Sequence, residues 1–401
     1  MIKTEEKDYL VSVSIYTPKS TTVRAATYGA TLLGAESVLP NVILRFWSSQ
    51  IGFDINLAGS CILALGMGIA LGMTSLTRSF HHVSGRRFLV ITSGLCVSVS
   101  LIVLSETHFP ENSFLSILGI GVAFGLLLRT QVPLFANIAT HAKGITCLLI
   151  FAWSCGAISI HLLVWIFSRV SPFSWLLLWL AVLFFCATLL VRIIPSSDLS
   201  SADTPPVNKK FLLTPGGVLL TLALVLFGGV HGIMTNLLPV YVSERMGSEL
   251  HLPFSIPIIY WLGITTLVLA SQRVEKLEER PSNMLMTLFG CSVGCAFLLR
   301  TNESSGMVAG TLIFSASLGL LWGLFSTWID RQAEMDKLLL WRNLLAVFFL
   351  GGVAATWLAT YLAFSLGIHA IAILAELMIL LGILVVSILL VEKRLLRADR
   401  R

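Results

Sequence analysis

The sequence predicts an all-α membrane protein of twelve transmembrane helices, arranged as two pseudo-symmetric six-helix bundles. Three observations carry that prediction. Of the 401 residues, 56% are hydrophobic and only 12% are charged, with a mean hydropathy of +0.88; soluble globular chains carry about 25% charged residues. The apolar residues come in blocks of about 20, the length that crosses about 30 Å of hydrocarbon, and they lack the charged face of a soluble amphipathic helix. The second half of the chain also echoes the first.

Taken in order, the spans are bounded by charge. The first, 23–45, follows Lys19 and ends at Arg45; the second, 54–77, stops before Arg78; the third, 87–106, begins beside Arg86 and Arg87. The fourth, 114–137, is followed by Lys143, the fifth, 144–168, by Arg169, and the sixth, 173–194, carries Arg192 near its end. Residues 195–212, rich in Ser, Asp and Pro, predict a cytoplasmic linker. Beyond Lys209 and Lys210 come 213–241, then 253–271 before Arg273, and 284–300 ending at Arg300. The last three are 306–329, 339–363 and 368–391, the final one followed by a basic tail, 392–401.

With the termini inside, 22 of the 27 Lys and Arg residues fall in cytoplasmic segments and four in outer ones. The positive-inside rule then places both termini in the cytoplasm of a multi-pass inner-membrane protein. Residues 1–22 read as a cytoplasmic tail rather than a signal peptide, since Lys and Glu interrupt any apolar core. The net charge of +6 sits at span ends, where topology needs it, and gives no nucleic-acid footprint. Seven cysteines, an odd number without a CxxC pair, lie inside apolar blocks and predict buried thiols rather than disulfides or zinc ligands.

The echo is local but ordered. "TYGATLLGAESVLPNV" (27–42) overlays "LFGGVHGIMTNLLPVY" (226–241) at an offset of 199, which pairs Gly29 with Gly228 and Pro40 with Pro239. At an offset of 194, Gly125 meets Gly319 and Lys143 meets Lys337. The loop after the second span ends in Gly85-Arg86-Arg87, and "SQRVEKLEER" (271–280) stands after the eighth.

With six spans on each side of a cytoplasmic linker and a repeat between the halves, the chain resembles the major facilitator superfamily of secondary transporters over essentially its whole length. That family's loop signature, a glycine followed by Asp-Arg-x-Gly-Arg-Arg, is degraded here. Gly85, Arg86 and Arg87 fit its end, while His82 replaces the acid and Arg78 the first glycine. In the second copy Glu275, Lys276 and Arg280 fit, and Ser271 replaces the glycine. The resemblance implies that these six matching residues form cytoplasmic gating loops. It also implies that two halves rock about a central site. The family's antiporter motif in the fifth span is absent, only Gly156 being kept.

No Walker A motif or catalytic constellation appears, so the chain reads as neither an ATP-driven pump nor an enzyme, and it calls for no metal or cofactor. Intramembrane ionisable groups are costly and mark function. Glu36, one turn before Pro40, is the leading candidate for carrying a proton. His231 is the second proton-coupling candidate. Arg129, Glu36, His231 and Asn236 are the candidate substrate-binding residues, with Arg129 able to meet an anionic group or Glu36 itself. Glu376 and Arg342 are weaker candidates, the latter snorkelling at a span end.

The function expected is proton-coupled export of a small anionic or zwitterionic metabolite, siderophore or drug. The alternatives are proton-coupled uptake of an organic anion and a transport-inactive sensor or assembly partner of the same fold. The expected partners are a small molecule, protons and the bilayer, for a monomer that binds no nucleic acid. Gly68-x-x-x-Gly72 and Gly290-x-x-x-Gly294 predict close helix packing within the chain.

Overall fold

The computed structural model describes residues 20–50, 55–74, 83–106, 110–141, 145–167, 172–190, 214–246, 252–273, 282–332 and 337–398. Among them twelve helices and no strands occur. The first six are α1 (Ser20–Gln50), α2 (Ile55–Thr74), α3 (Val83–Glu106), α4 (Pro110–His141), α5 (Ile145–Phe167) and α6 (Phe173–Leu190). The second six are α7 (Pro215–Met246), α8 (Leu252–Arg273), α9 (Ser282–Arg300), α10 (Ser304–Gln332), α11 (Lys337–Leu366) and α12 (His369–Ala398). The helix α12 runs seven residues beyond the expected end of its span, into the basic tail.

Ten of these helices are long and apolar enough to cross a membrane. The other two coincide with expected spans; α1 is more polar and the apolar part of α8 is shorter. Most of α1 from Ala25 to Leu44 is buried by other helices, so its polar residues face protein rather than lipid. The apolar stretch of α8 is short, Ser255–Ser271, and follows a proline.

Packing is the same in the two groups of six. Helix α1 lies on α5 and α7 on α11; α2 lies on α4 and α8 on α10; α3 lies on α6 and α9 on α12. Between the groups, α5 meets α8 and α2 meets α11, the exchange a two-fold axis requires, and α1 meets α7 near that axis.

Glycines make the tight seams, because association between helices in lipid depends on backbone approach. On α2, a Cβ at Gly68 or Gly72 would run into the backbone of α4 beside Gly121 and Gly125. At Gly294 it would meet the Phe314 backbone on α10. Both GxxxG patterns are thus used inside the chain.

The seams also correct the register of the repeat. Gly34 faces the Trp153 carbonyl and Gly228 faces that of Phe348; Gly156 faces Thr31 and Gly351 faces Val225; Gly125 faces Ile69 and Gly319 faces Ile264. Every equivalent pair is 194 or 195 residues apart. The offset of 194 in the fourth and tenth spans holds, but the offset of 199 between α1 and α7 does not. That alignment followed two Leu-Pro pairs, and both prolines are inside helices without marking the same level. Between α1 and α7 the packed register is 194, which sets Glu36 against Val230 and Asn41 against Thr235, so that His231 and Asn236 each stand one residue further along.

One turn depends on a glycine for conformation alone. Gly367 joins α11 to α12 at φ 91°, and its N–H donates to the Ala363 carbonyl at 2.9 Å, a left-handed helix cap. No atom lies within 4 Å of a Cβ built there. Gly367→Ala is therefore expected to cost about 1–2 kcal/mol, the penalty for a left-handed L-residue, read as a small drop in melting temperature in detergent.

Candidate functional site

Two adjoining cavities lie between the six-helix groups. The deeper chamber has about 530 Å³ of empty space and is walled by α1, α2, α4, α7 and α11. The larger basin has about 740 Å³ and is walled by α4, α5, α7, α8, α10 and α11. His231, Phe348 and Phe349 belong to both and form the partition between them.

The chamber holds the polar groups. Glu36 is 2% exposed and lines it, placed there by α1. The Ser93 hydroxyl on α3 donates to Glu36 Oε1 at 3.3 Å, while Oε2 is buried without a hydrogen-bond partner among the described residues. Across the chamber, Asn236 uses its amide nitrogen on the Gly232 carbonyl at 2.9 Å, and its Oδ1 is likewise buried and unpartnered. The His231 imidazole is engaged at both nitrogens: Nδ1 is 2.9 Å from the Tyr260 hydroxyl and Nε2 is 3.5 Å from that of Thr235.

The basin is aromatic. Trp153 of α5 and Phe349 of α11 stack across the two groups with centroids 5.4 Å apart and planes at 9°. Phe124 packs edge-on against Phe349 at 5.0 Å, and Phe348 meets Trp322 at 4.7 Å. Trp261 stands edge-on to His231 at 5.4 Å, its indole N–H buried and unpartnered among the described residues.

The basin lies toward the end of the bundle where α5 and α11 begin, at Leu149 and Leu345. Toward the opposite end the groups are in contact. The Asn41 side-chain amide donates to the Thr235 carbonyl, and a Cβ on Gly59 would lie 3.2 Å from Thr360 Oγ1. The larger space thus lies on one side of the chamber, crossed by the Trp153–Phe349 stack, and a hydrogen-bonded tie between the groups lies on the other.

Of the expected site residues, Glu36, His231 and Asn236 come together at one chamber. Arg129 is only partly buried in α4 and is not among the described residues lining either cavity. Glu376 accepts a hydrogen bond from Ser292 between α12 and α9, away from both cavities. Gly85, Arg86 and Arg87 start α3, but their side chains are outside the described residues, as are those of Arg342 and all of Glu275, Lys276 and Arg280.

Solved structures match this architecture over almost its full length. The partially occluded inward-open xylose transporter XylE from E. coli aligns with a TM-score of 0.68 at 14% identity, covering 91% of this chain and 96% of that one. XylE is a major facilitator superfamily protein. This chain has the major facilitator fold. The human organic anion transporter MFSD10 aligns at 0.61 and 17% identity, over 92% of this chain and all of that one. The nucleoside transporter NupG aligns at 0.65 and 11%, over 92% and 99%. No family model and no curated protein matches the sequence. The major facilitator fold and the apolar helices make this a multi-pass membrane protein.

Proposed function

We propose that the chain is a proton-coupled secondary transporter that exports a small organic solute by alternating access, with Glu36 as the proton site. The observation that carries this reading is the position of that acid. It is buried at the wall of the chamber between the two groups, with one oxygen held by Ser93 and the other unpartnered among the described residues. A carboxyl group so enclosed strongly disfavours its charged form until a cation or an opening to water compensates it. Protonation and access then become linked. XylE is described as a proton:xylose symporter, so the fold is compatible with proton coupling.

The excess of Lys and Arg in the loops at the end where α5 and α11 begin favours the cytoplasm on that side. Loading through the basin is then loading from the cytoplasm, the step that export requires.

Spin labels test the coupling without knowledge of the cargo, in a background with the seven cysteines replaced. One pair, at Leu71 and Leu350, reports the basin end; another, at Ser60 and Phe364, reports the opposite end. All four positions are exposed. Moving from acidic to mildly alkaline buffer is expected to change the two distances in opposite senses, and Glu36→Gln to abolish that response. Distances that ignore pH, or respond equally in the variant, reject Glu36 as the proton site.

A further inference from the structure

We propose that the chamber around Glu36 binds an organic cation, a protonated amine or quaternary ammonium on a compact aromatic or branched apolar body. The inference rests on the transporter reading and specifies its cargo. Its first support is the sign of the unsatisfied groups. Glu36 and Asn236 both line the chamber, and each has a buried oxygen, Oε2 and Oδ1, that accepts and has no partner among the described residues. A third orphan oxygen, Asn41 Oδ1, lies just over one turn beyond Glu36 on α1. A positively charged head satisfies such a set, whereas an anion would meet a carboxylate in a medium of low dielectric.

The second support is the remaining wall. Among the described residues it carries no Lys or Arg, and Arg129, the reason for expecting an anion, does not reach it. Ser93 and Cys96 on α3 interact with Glu36, and His231 on α7 lines the same chamber with its nitrogens taken by Tyr260 and Thr235. The rest is ring and hydrocarbon: Phe124, Phe348 and Phe349 with Leu65, Ile69 and Val353. Aromatic faces attract cations, most strongly when desolvated.

One site that holds either a proton or a cation is an exchanger. A monovalent cation leaves Glu36 on one side, a proton takes its place, and the return carries that proton inward. The cycle moves one positive charge each way and is electroneutral.

The test is calorimetric binding to the purified full chain at one fixed pH, with benzyltrimethylammonium and with hydrocinnamate, an anion of similar body. The cation is expected to bind at least about tenfold more tightly than the anion, and Glu36→Gln to weaken it by about tenfold, the scale of a charge-assisted contact. Asn236→Leu, which leaves the acid in place, is expected to weaken the cation alone by about threefold. Equal or tighter binding of hydrocinnamate overturns the proposal. So does failure of both compounds to bind, or unchanged cation affinity in either folded variant. The proton-site reading fails separately, on inter-group distances that ignore pH, whatever the calorimetry shows.

Discussion

Glu36→Gln is expected to lower pH-gradient-driven movement of benzyltrimethylammonium in proteoliposomes by about a hundredfold or more, the upper part of the range for a coupling free energy of about 1–3 kcal/mol. The amide keeps the shape of the side chain, and its carbonyl can still accept from Ser93, which holds Oε1 at 3.3 Å. What it loses is the ability to exchange a proton for a cation at the oxygen without a described partner. The variant should elute and melt like the parent, and Glu36→Asp, which keeps the acid, should retain part of the rate. Because the proposed exchange is electroneutral, the parent's rate should also be insensitive to an imposed membrane potential. A parental rate in Glu36→Gln would place the proton elsewhere, and Glu376, partly buried beside Ser292, is the other acid with a buried unpartnered oxygen among the described residues. An unchanged phenotype alongside no measurable transport would instead favour a sensor that kept the fold.

Glu36 was legible because a carboxylate in an apolar block stands out by composition alone. The helices were legible for the same reason, since the blocks and their charged ends follow from the thickness of the bilayer. The chamber's aromatic wall was not legible. Phe124, Phe348 and Phe349 occur among 23 phenylalanines, and Trp153, Trp261 and Trp322 among ten tryptophans. In a membrane chain the lipid face and the cavity wall are both apolar, so residue type cannot separate them. Ser93 was hidden for a related reason: a lone serine on α3 looks the same whether it packs a helix or, as here, holds a carboxyl group.

Arg129 shows the converse limit. An intramembrane cation is conspicuous, and it directed the expected cargo toward anions, yet it does not line the described walls of either cavity. Helical phase was missing from that inference, and only packing supplies it. The repeat teaches the same lesson. Leu-Pro pairs attracted a register of 199, but contact between backbones sets 194 for α1 against α7 and brings His231 to within one residue of the level of Glu36. The two groups therefore place unlike titratable residues one position apart on α1 and α7, both lining one chamber.

Gly34→Val is expected to destabilise the protein by about 3 kcal/mol or more, at or above the top of the usual range for overpacking, and to remove most of the monodisperse material. A Cβ at Gly34 would overlap the Trp153 carbonyl oxygen and lie 2.6 Å from its carbonyl carbon and 2.9 Å from its Cα. These are backbone atoms of α5, so no rotamer can give way, and the two helices must separate. Gly228→Val should cost a similar amount, since Gly228 faces the Phe348 carbonyl at the equivalent seam between α7 and α11. Gly382→Ala is the control. Its nearest neighbour would be the rim of the Phe227 ring at 3.3 Å, and the gain in helix propensity of about 1 kcal/mol offsets that tightness. Thermal melts in detergent read all three. The seam bears on function as well as stability. Glu36 is two residues beyond Gly34, about 200° around the helix, so pushing α1 away from Trp153 moves the carboxyl group relative to Ser93 and the chamber. A weaker replacement, Gly34→Ala, should therefore lower cargo binding even in the fraction that still folds; parental affinity there would show that α1 can shift without carrying the site along.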